Sequence, residues 1–488
     1  MRPLSALVSL LLVCSQATAA TAETGNAAQA LTLQECIDLA MRNNLQHQSD
    51  YHTLANSQAQ LESARAPFAF NMDANITAPS FNELRDTQEN VALATRVREE
   101  NTDFSYSGDL RVSQRLRHLG ELSFITNAQR RDFSSNRRTD FLDFSGDMQL
   151  QYQHQILNRP GEEITLQRAE HNYKNARLAF ERQHLQLEGQ VVDDYYNLVQ
   201  NIRQLDIERQ RLEQSRANLE LAQRKFEVGL IAEVEALRLQ VELLSAEASF
   251  AQAETAIEQR RDILRETLGL DAAAPLTVTT KVDYQIHAID AERALELGLA
   301  RRTDMQRAEI FEQIRELDLE DAQRRNGLNA NLNANLSLRG RGDDVGDISR
   351  NFERNRWGVS IQMNMPLVDG GQRRASLSQA RIALEQSRIS RKQQRRQVIR
   401  QIRDATRSLA EAERQIELRQ AALNVAARTY DVEQSRFELG LADSQQLLQA
   451  QGDMTQARLN ALDAVIDYQR GLKNVRVATM AELEELAP

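Results

Sequence analysis

Residues 402–441 read IRDATRSLAEAERQIELRQAALNVAARTYDVEQSRFELGL. Ile402, Leu409, Ile416, Leu423, Tyr430 and Phe437 fall every seventh residue. That is the spacing of a coiled-coil seam, because 3.5 residues per turn keeps one apolar stripe on one side. The run begins upstream: Gln372–Leu439 is 68 residues without Gly or Pro, enough for a single helix roughly 100 Å long. It ends in Phe437-Glu438-Leu439-Gly440-Leu441, and a second helical pattern follows at once. Glycine tolerates positive φ, so Gly440 is where the helix stops and the chain reverses. The stretch predicts a long helical hairpin with its tip at Gly440.

The same element occurs 211 residues earlier. Val191, Leu198, Leu205, Leu212, Leu219 and Phe226 form the matching seam, and Phe226-Glu227-Val228-Gly229-Leu230 the matching tip. The chain is an internal duplication. Its composition agrees with long helices: 27% charged residues, 5% aromatics and only 7 Pro in 488 residues. A net charge of −10 argues against a nucleic-acid surface. The two cysteines are Cys14 and Cys36.

Met1–Ala19 has a basic residue, the apolar run 4–14 and then Ala17-Thr18-Ala19, the pattern of a secretory signal peptide. A rival reading lipidates Cys14, although Val13 before it is the wrong size for that processing. Removal of the leader would leave one cysteine and no internal disulfide. No later run reaches the ~18 apolar residues of a membrane helix.

Residues 34–66 read as a leading helix ended by Pro67. Next, residues 71–78 alternate polar and apolar, and 258 residues on Asn329–Ser337 does so again. There Ala330, Leu332, Ala334, Leu336 and Leu338 face one side, and Asn329, Asn331, Asn333, Asn335 and Ser337 the other. Their expected partners are 148–157, with Gln149, Gln151, Gln153 and Gln155 on the polar face, and 358–367, with Val359, Ile361, Met363, Met365 and Leu367 on the apolar one. Strands of ~9–11 residues with lipid outside and water inside build a transmembrane β-barrel. An ordinary half-buried sheet fits the alternation alone; the leader and the placement of each strand pair between long helices favour the barrel. Four strands per chain are too few to close one, so a homotrimer is expected, with twelve.

The two offsets differ by 47, so the first repeat carries that many extra residues within 81–147. Residues 109–116 and 121–126, about a turn near Gly120, read as a further hairpin, and 141–144 as an extension of the next strand. The charges around 85–98 and 130–140 predict polar loops. The segment either adds strands to the wall or caps the mouth. After Gly440, Leu447, Met454, Ala461, Tyr468 and Val475 run beside Ala450, Ala457, Ala464, Gly471 and Ala478, a large row beside a small one that allows close helix packing. Arg388, Arg391, Lys392, Arg395, Arg396, Arg400 and Arg403 read as a solvated face or a basic ring. The organisation is thus a leader (1–22), a first repeat (23–284), a second (285–480) and a short acidic tail (481–488). No Ser/His/Asp grouping, phosphate loop or His/Cys cluster stands out, so no catalytic, cofactor or metal site is expected.

These features together resemble the TolC family of outer-membrane efflux proteins. The resemblance runs from Leu31 to about Met480. It rests on the duplication, on Leu31-Thr32-Leu33-Gln34-Glu35-Cys36-Ile37-Asp38-Leu39-Ala40, on Met363-Asn364-Met365-Pro366-Leu367-Val368-Asp369-Gly370-Gly371, and on the two tips. It implies a mainly α chain with a β-barrel portion, in which a duplicated strand-pair and long-helical-hairpin repeat builds a trimeric α/β-barrel tunnel. Such a tunnel sits in the outer-membrane lipid of a Gram-negative-type bacterium, with most of its mass in the periplasm. It is a passive duct that docks a periplasmic membrane-fusion adaptor and an inner-membrane pump, of RND or ABC type, and exports small molecules or proteins. The tips would be the docking residues: Phe226, Val228, Gly229, Leu230, Phe437, Leu439, Gly440 and Leu441. Asn71, Asn75, Asn331, Asn333, Asn335, Gln362 and Asn364 would line the barrel lumen.

Two departures stand out. The family's entrance aspartates, six and nine residues after the second tip glycine, are replaced here by Gln446 and Gln449, with Asp443 the nearest acid. These three are the candidates at the periplasmic entrance. The first strand-to-helix junction reads Gln155-Ile156-Leu157-Asn158-Arg159-Pro160-Gly161 in place of the Pro-Leu-x-x-Gly-Gly pattern. The rival class, a secreted or periplasmic coiled-coil scaffold without a pore, explains the heptads but not the matched alternating strands.

Overall fold

In a computed structural model the described residues are 30–90, 95–136, 139–157, 160–281, 284–325, 327–350, 352–365 and 367–487. The expected signal peptide and Cys14 lie outside them, as do Asn158, Arg159 and Pro366 of the two junctions. The first repeat opens with α1 (Leu33–Asn43) and α2 (Leu45–Arg65). Thr32 starts α1 with a capping box: its hydroxyl accepts from the Glu35 N–H, and the Glu35 carboxylate accepts from the Thr32 N–H at 2.8 Å. The expected single leading helix is broken at Asn44. Its side-chain oxygen accepts from the His47 N–H at 2.9 Å and its amide donates to the Thr267 carbonyl at 3.0 Å. The break is therefore a cap for α2 and a tie to the end of the return helix.

The two long hairpins follow the heptad reading. The first is α3 (Gly161–Glu227) with α4 (Glu233–Leu268). In the second repeat α5 (Ala291–Arg301) and α6 (Thr303–Arg325) lead, and the hairpin is α8 (Gln372–Glu438) with α9 (Ser444–Thr479). A six-residue helix, α7 (Val345–Arg350), lies between the strands of this repeat. Both tips turn on a glycine of positive φ, 77° at Gly229 and 75° at Gly440. Leu230 N–H closes back on the Lys225 carbonyl at 2.8 Å, and Leu441 N–H on that of Arg436 at 2.7 Å. A Cβ at either glycine would meet nothing within 4 Å, so backbone conformation and not space demands the residue.

The helices stand side by side. In the tip half the order is α4, α3, α9, α8; in the half nearer the sheet it is α2, α3, α6, α8. Seam residues fill the interior: Val191, Leu198, Leu212 and Leu219 from α3, and Ile402, Leu409, Ile416, Tyr430 and Phe437 from α8. The small row of α9 does bring α8 close, since a Cβ on Gly471 would stand 3.0 Å from Leu409 Cδ1. The acidic tail folds back: Leu486 is fully buried and its carbonyl accepts from the Asp290 N–H at 2.9 Å. In the arginine row, Arg388 and Arg391 pair with Glu312 of α6 at 3.2 and 3.0 Å.

The sheet departs from expectation. Among the described residues six strands, not four, form one antiparallel sheet in sequence order: β1 (Phe70–Asn90), β2 (Thr95–Leu116), β3 (Gly120–Ser135), β4 (Phe141–Gln155), β5 (Asn329–Gly342) and β6 (Glu353–Asn364). The additional hairpin adds two full strands, β2 and β3. Most of the segments expected as polar loops, around 85–98 and 130–140, are ladder as well. Residues 80–90 pair with 95–105, and 129–133 with 141–145. Their charges pair across or along strands, Arg131 with Asp103 at 2.6 Å and Arg98 with Glu100 at 3.1 Å. Charge density there signals a solvated ladder, not a turn.

Candidate functional site

Two regions can carry function: the faces of the sheet and the helical tips. Strand side chains alternate between faces, so directly opposed residues form rows across all six strands. One row is Met72, Val112, Phe124, Leu150, Leu336 and Trp357. The next row on the opposite face is Asn71, Ser113, Ser123, Gln151, Asn335 and Gly358. The apolar face continues through Ala74, Leu110, Thr126, Met148 and Leu338, the polar one through Gln153, Asn333 and Ser360. All seven predicted lumen residues, Asn71, Asn75, Asn331, Asn333, Asn335, Gln362 and Asn364, lie on the polar face. Charges on that face are compensated: Asn75 donates to Asp109 at 3.3 Å, and Arg115 pairs with Glu162 at 2.6 Å.

Most of the apolar face is exposed, although Ala330 is buried and Ile348 of α7 lies against Gly146 and Gly340. Ile76 is 82% exposed, Trp357 66% and Met363 68%. Water would penalise such a face by roughly 25 cal/mol per Å² left uncovered. At its outer end aromatics collect: Phe81 and Phe104 are 6.2 Å apart, Phe104 and Tyr106 5.5 Å. The Arg130 guanidinium lies 5.9 Å from the Tyr106 ring and 5.8 Å from that of Phe144. An apolar band rimmed by amphipathic aromatics fits a bilayer and its headgroup boundary. No helix among the described residues is long and apolar enough to cross a membrane.

At the tips Val228, Leu230, Leu439 and Leu441 are exposed, and Phe226 is partly so. Phe437 differs from its twin Phe226. It is buried, so as a docking residue it is corrected to an internal one. Asp443 caps α9, accepting from the Gln446 N–H at 2.9 Å. Gln446 and Gln449 are exposed on the single chain, and Gln449 donates to Asp453 of its own helix at 2.9 Å.

Residues that heptad reasoning passed over bind the two hairpins together. Asn218 of α3 donates to Gln451 of α9 at 3.1 Å and to the Tyr430 hydroxyl of α8 at 3.4 Å. Gln451 donates in turn to Ser215 at 2.8 Å. Ser215, Asn218 and Gln451 are each 1% exposed. A polar network this deep specifies one mutual register, because any slip strands its donors and acceptors. Nearer the tip, the Ser444 N–H donates to Glu235 of α4 at 3.0 Å. The available signal was polar residues on seam-adjacent positions: Ser215 three after Leu212, Gln451 three before Met454.

Buried titratable groups in the helices are structural. Burial, then Glu35, pushes the Cys36 thiol up to about 12, so it stays an inert apolar filler. Burial also raises Tyr195, to about 12, and Asp194, whose carboxylate accepts from the Thr267 hydroxyl at 2.8 Å. No group of three or more His, Cys, Asp and Glu suited to a metal occurs among the described residues.

The profile of a family described as outer membrane efflux protein matches residues 121–270 and 294–479. The match begins at β3, leaving α1, α2, β1 and β2 outside it. No curated protein matches the sequence. The fold is shared with solved structures of low sequence identity. A membrane protein from Pseudomonas aeruginosa is 18% identical with a TM-score of 0.70, covering 92% of this chain and 90% of its own. The CmeC outer membrane channel of Campylobacter jejuni is 15% identical, TM-score 0.69, with coverages of 92% and 85%. The outer membrane protein VceC of Vibrio cholerae is 15% identical, TM-score 0.69, with coverages of 92% and 96%.

Proposed function

This chain belongs to the outer membrane efflux protein family, and from that membership we propose that three copies close into one passive duct. The protein is an outer-membrane exit duct for efflux systems, with a helical tunnel below the membrane. That fold and membership replace the pore-free scaffold. The observation that carries the trimeric reading is that both edges of the single chain are unfinished. Val234, Leu237, Val241 and Leu244 on α4, and Leu418, Val425 and Val432 on α8, are about half exposed or more. α4 and α8 are the outermost helices of the tip half. Apolar heptads facing water on both edges suit closure against another copy.

In this reading Asn71, Asn75, Asn331, Asn333, Asn335, Gln362 and Asn364 line a water-filled lumen. Val228, Leu230, Leu439 and Leu441 present apolar side chains to a periplasmic adaptor's helical hairpin, which joins the duct to an inner-membrane pump. Asp443, Gln446 and Gln449 ring the periplasmic entrance. Cargo is a small molecule or a protein, and the duct performs no bond chemistry. Without the aspartate pair, block by cations should be weak. The test is single-channel conductance of the purified trimer in a planar bilayer. Discrete conductance, weakly sensitive to divalent cations, is expected; a trimer that never inserts would overturn the duct.

A further inference from the structure

We infer that the β2–β3 hairpin is part of the lipid-facing wall, so that three copies close an eighteen-stranded barrel with β1 of each copy paired to β6 of the next. The inference rests on the trimeric duct proposed above and specifies its membrane portion.

Three observations carry it. First, β2 and β3 lie inside the sheet, each laddered on both sides, from Phe70↔Gln114 through Leu116↔Gly120 to Glu121↔Gln153. A cap at the mouth would leave β1 and β4 as neighbours; here they are separated by two strands. Second, the hairpin is in phase with its neighbours. Leu110, Val112, Leu122 and Phe124 share the face of Met72, Leu150, Leu336 and Trp357, and Ser113 and Ser123 that of Gln151 and Asn335. A one-residue offset would have put polar side chains among the apolar ones. Third, the β2–β3 turn sits at the helical end of the wall. The His118 N–H donates to Glu163 of α3 at 2.9 Å, and the Tyr152 hydroxyl to the Leu119 carbonyl. The hairpin thus spans the wall from its tunnel end instead of perching on the outer loops.

Perimeters agree with this count. At ~4.8 Å between strands and a tilt of ~40°, eighteen strands make roughly 110 Å, and twelve only about 75 Å. Four helices per copy line the adjoining half, α2, α3, α6 and α8. Twelve helices at ~9–10 Å spacing make roughly 110–120 Å. Eighteen strands therefore meet the helical wall at matching width. The remaining edges, β1 and β6, have no strand partner among the described residues, and an exposed ladder edge is covered most directly by an identical neighbour's opposite edge. The outer-membrane pore would be about half again as wide as twelve strands make it, which leaves selection of cargo to the narrower tunnel entrance.

Trp357 is the one tryptophan in the sequence and stands in the same row as Phe124. The trimer is reconstituted in vesicles of brominated phosphatidylcholine. Quenching of wild-type emission reports insertion of the barrel itself. Phe124→Trp in a Trp357→Phe background should lose as large a share of its emission, with Leu122→Trp as the alternative should that variant fail to insert. Ser123→Trp should instead be quenched by aqueous iodide. A quenched wild type with Phe124→Trp and Leu122→Trp both unquenched would remove the hairpin from the wall and leave the duct standing. An unquenched wild type would sink both readings. Electron cryo-microscopy of the trimer gives the count directly: eighteen strands are expected, and twelve would refute the inference.

Discussion

Lys225 of the first hairpin is joined to Phe437 of the second in two ways. Its ammonium donates to the Phe437 carbonyl and lies 4.8 Å from the centre of the Phe437 ring. Both residues are buried, at 7% and 1% exposure. The contact adds a charged donor to a carbonyl at the end of α8 that also accepts from the Gly440 N–H at 3.0 Å, and a cation is favoured at that end of a helix. It couples the tip of one hairpin to the tip of the other, where the duct would have to open.

Lys225→Met keeps the stem and removes the charge. A hydrogen bond from a charged donor is worth about 1.5–3 kcal/mol net. Loosened tips should raise open probability in single-channel records, while trimers still form. Records identical to wild type would show that this contact does not hold the tips.

Asn218→Ala leaves the Gln451 side chain and the Tyr430 hydroxyl without their buried donor. The cost should be about 1–3 kcal/mol, the usual penalty for an unsatisfied buried polar group. Urea unfolding of the purified protein should show a lower midpoint. An unmoved midpoint would mean that the network adds nothing to the joint between hairpins.

Leu230→Glu combined with Leu441→Glu alters two side chains already 72% and 67% exposed. Folding should change by less than about 0.5 kcal/mol, and trimers should still reach the outer membrane. Export should be lost, since apolar docking cannot bury two carboxylates. Normal export from cells carrying this variant would remove the tips from the adaptor interface.

Val425→Glu tests the unfinished edge. The side chain is 68% exposed on one chain, so helix content of the isolated chain should be unchanged. Native mass measurement should show loss of the trimer, because closure would bury the new charge. A persistent trimer would place the neighbouring copy elsewhere.

His47 gives a pH dependence. Its ring stacks on Phe180 at 5.1 Å, and burial, then the neighbouring His184, lowers it below its ordinary value of 6.5. Nδ1 is buried with no partner among the described residues. Below the ordinary value the unfolded chain binds the proton and the folded one resists it, so stability falls as pH drops from 6.5 through the lowered folded value. His47→Phe should flatten the melting-temperature profile between about pH 7.5 and 5.5. Equal slopes for the two proteins would dismiss this contribution.

Much of the molecule was legible as periodicity. The seams at Ile402–Phe437 and Val191–Leu219 place α8 and α3, glycine places both tips, and alternation at Asn329–Ser337 puts Asn329, Asn331, Asn333 and Asn335 on one face of β5, because these patterns depend only on local backbone geometry. The acidic and basic stretches 85–98 and 130–140 misled, since charges that pair across strands look in one dimension like a loop.

From local pattern alone came two helical hairpins, their reversals, and a sheet with one apolar and one polar face, all set by spacings of seven, two and one glycine. The tertiary structure decided how many strands pair in the sheet, which edges stay open, and why Phe437 is buried while Phe226 is not. Those depend on pairing between segments far apart in the chain, such as Arg131 with Asp103 or Lys225 with Phe437. The loop-closure entropy offset by such contacts leaves no mark on the local periodicity of either segment.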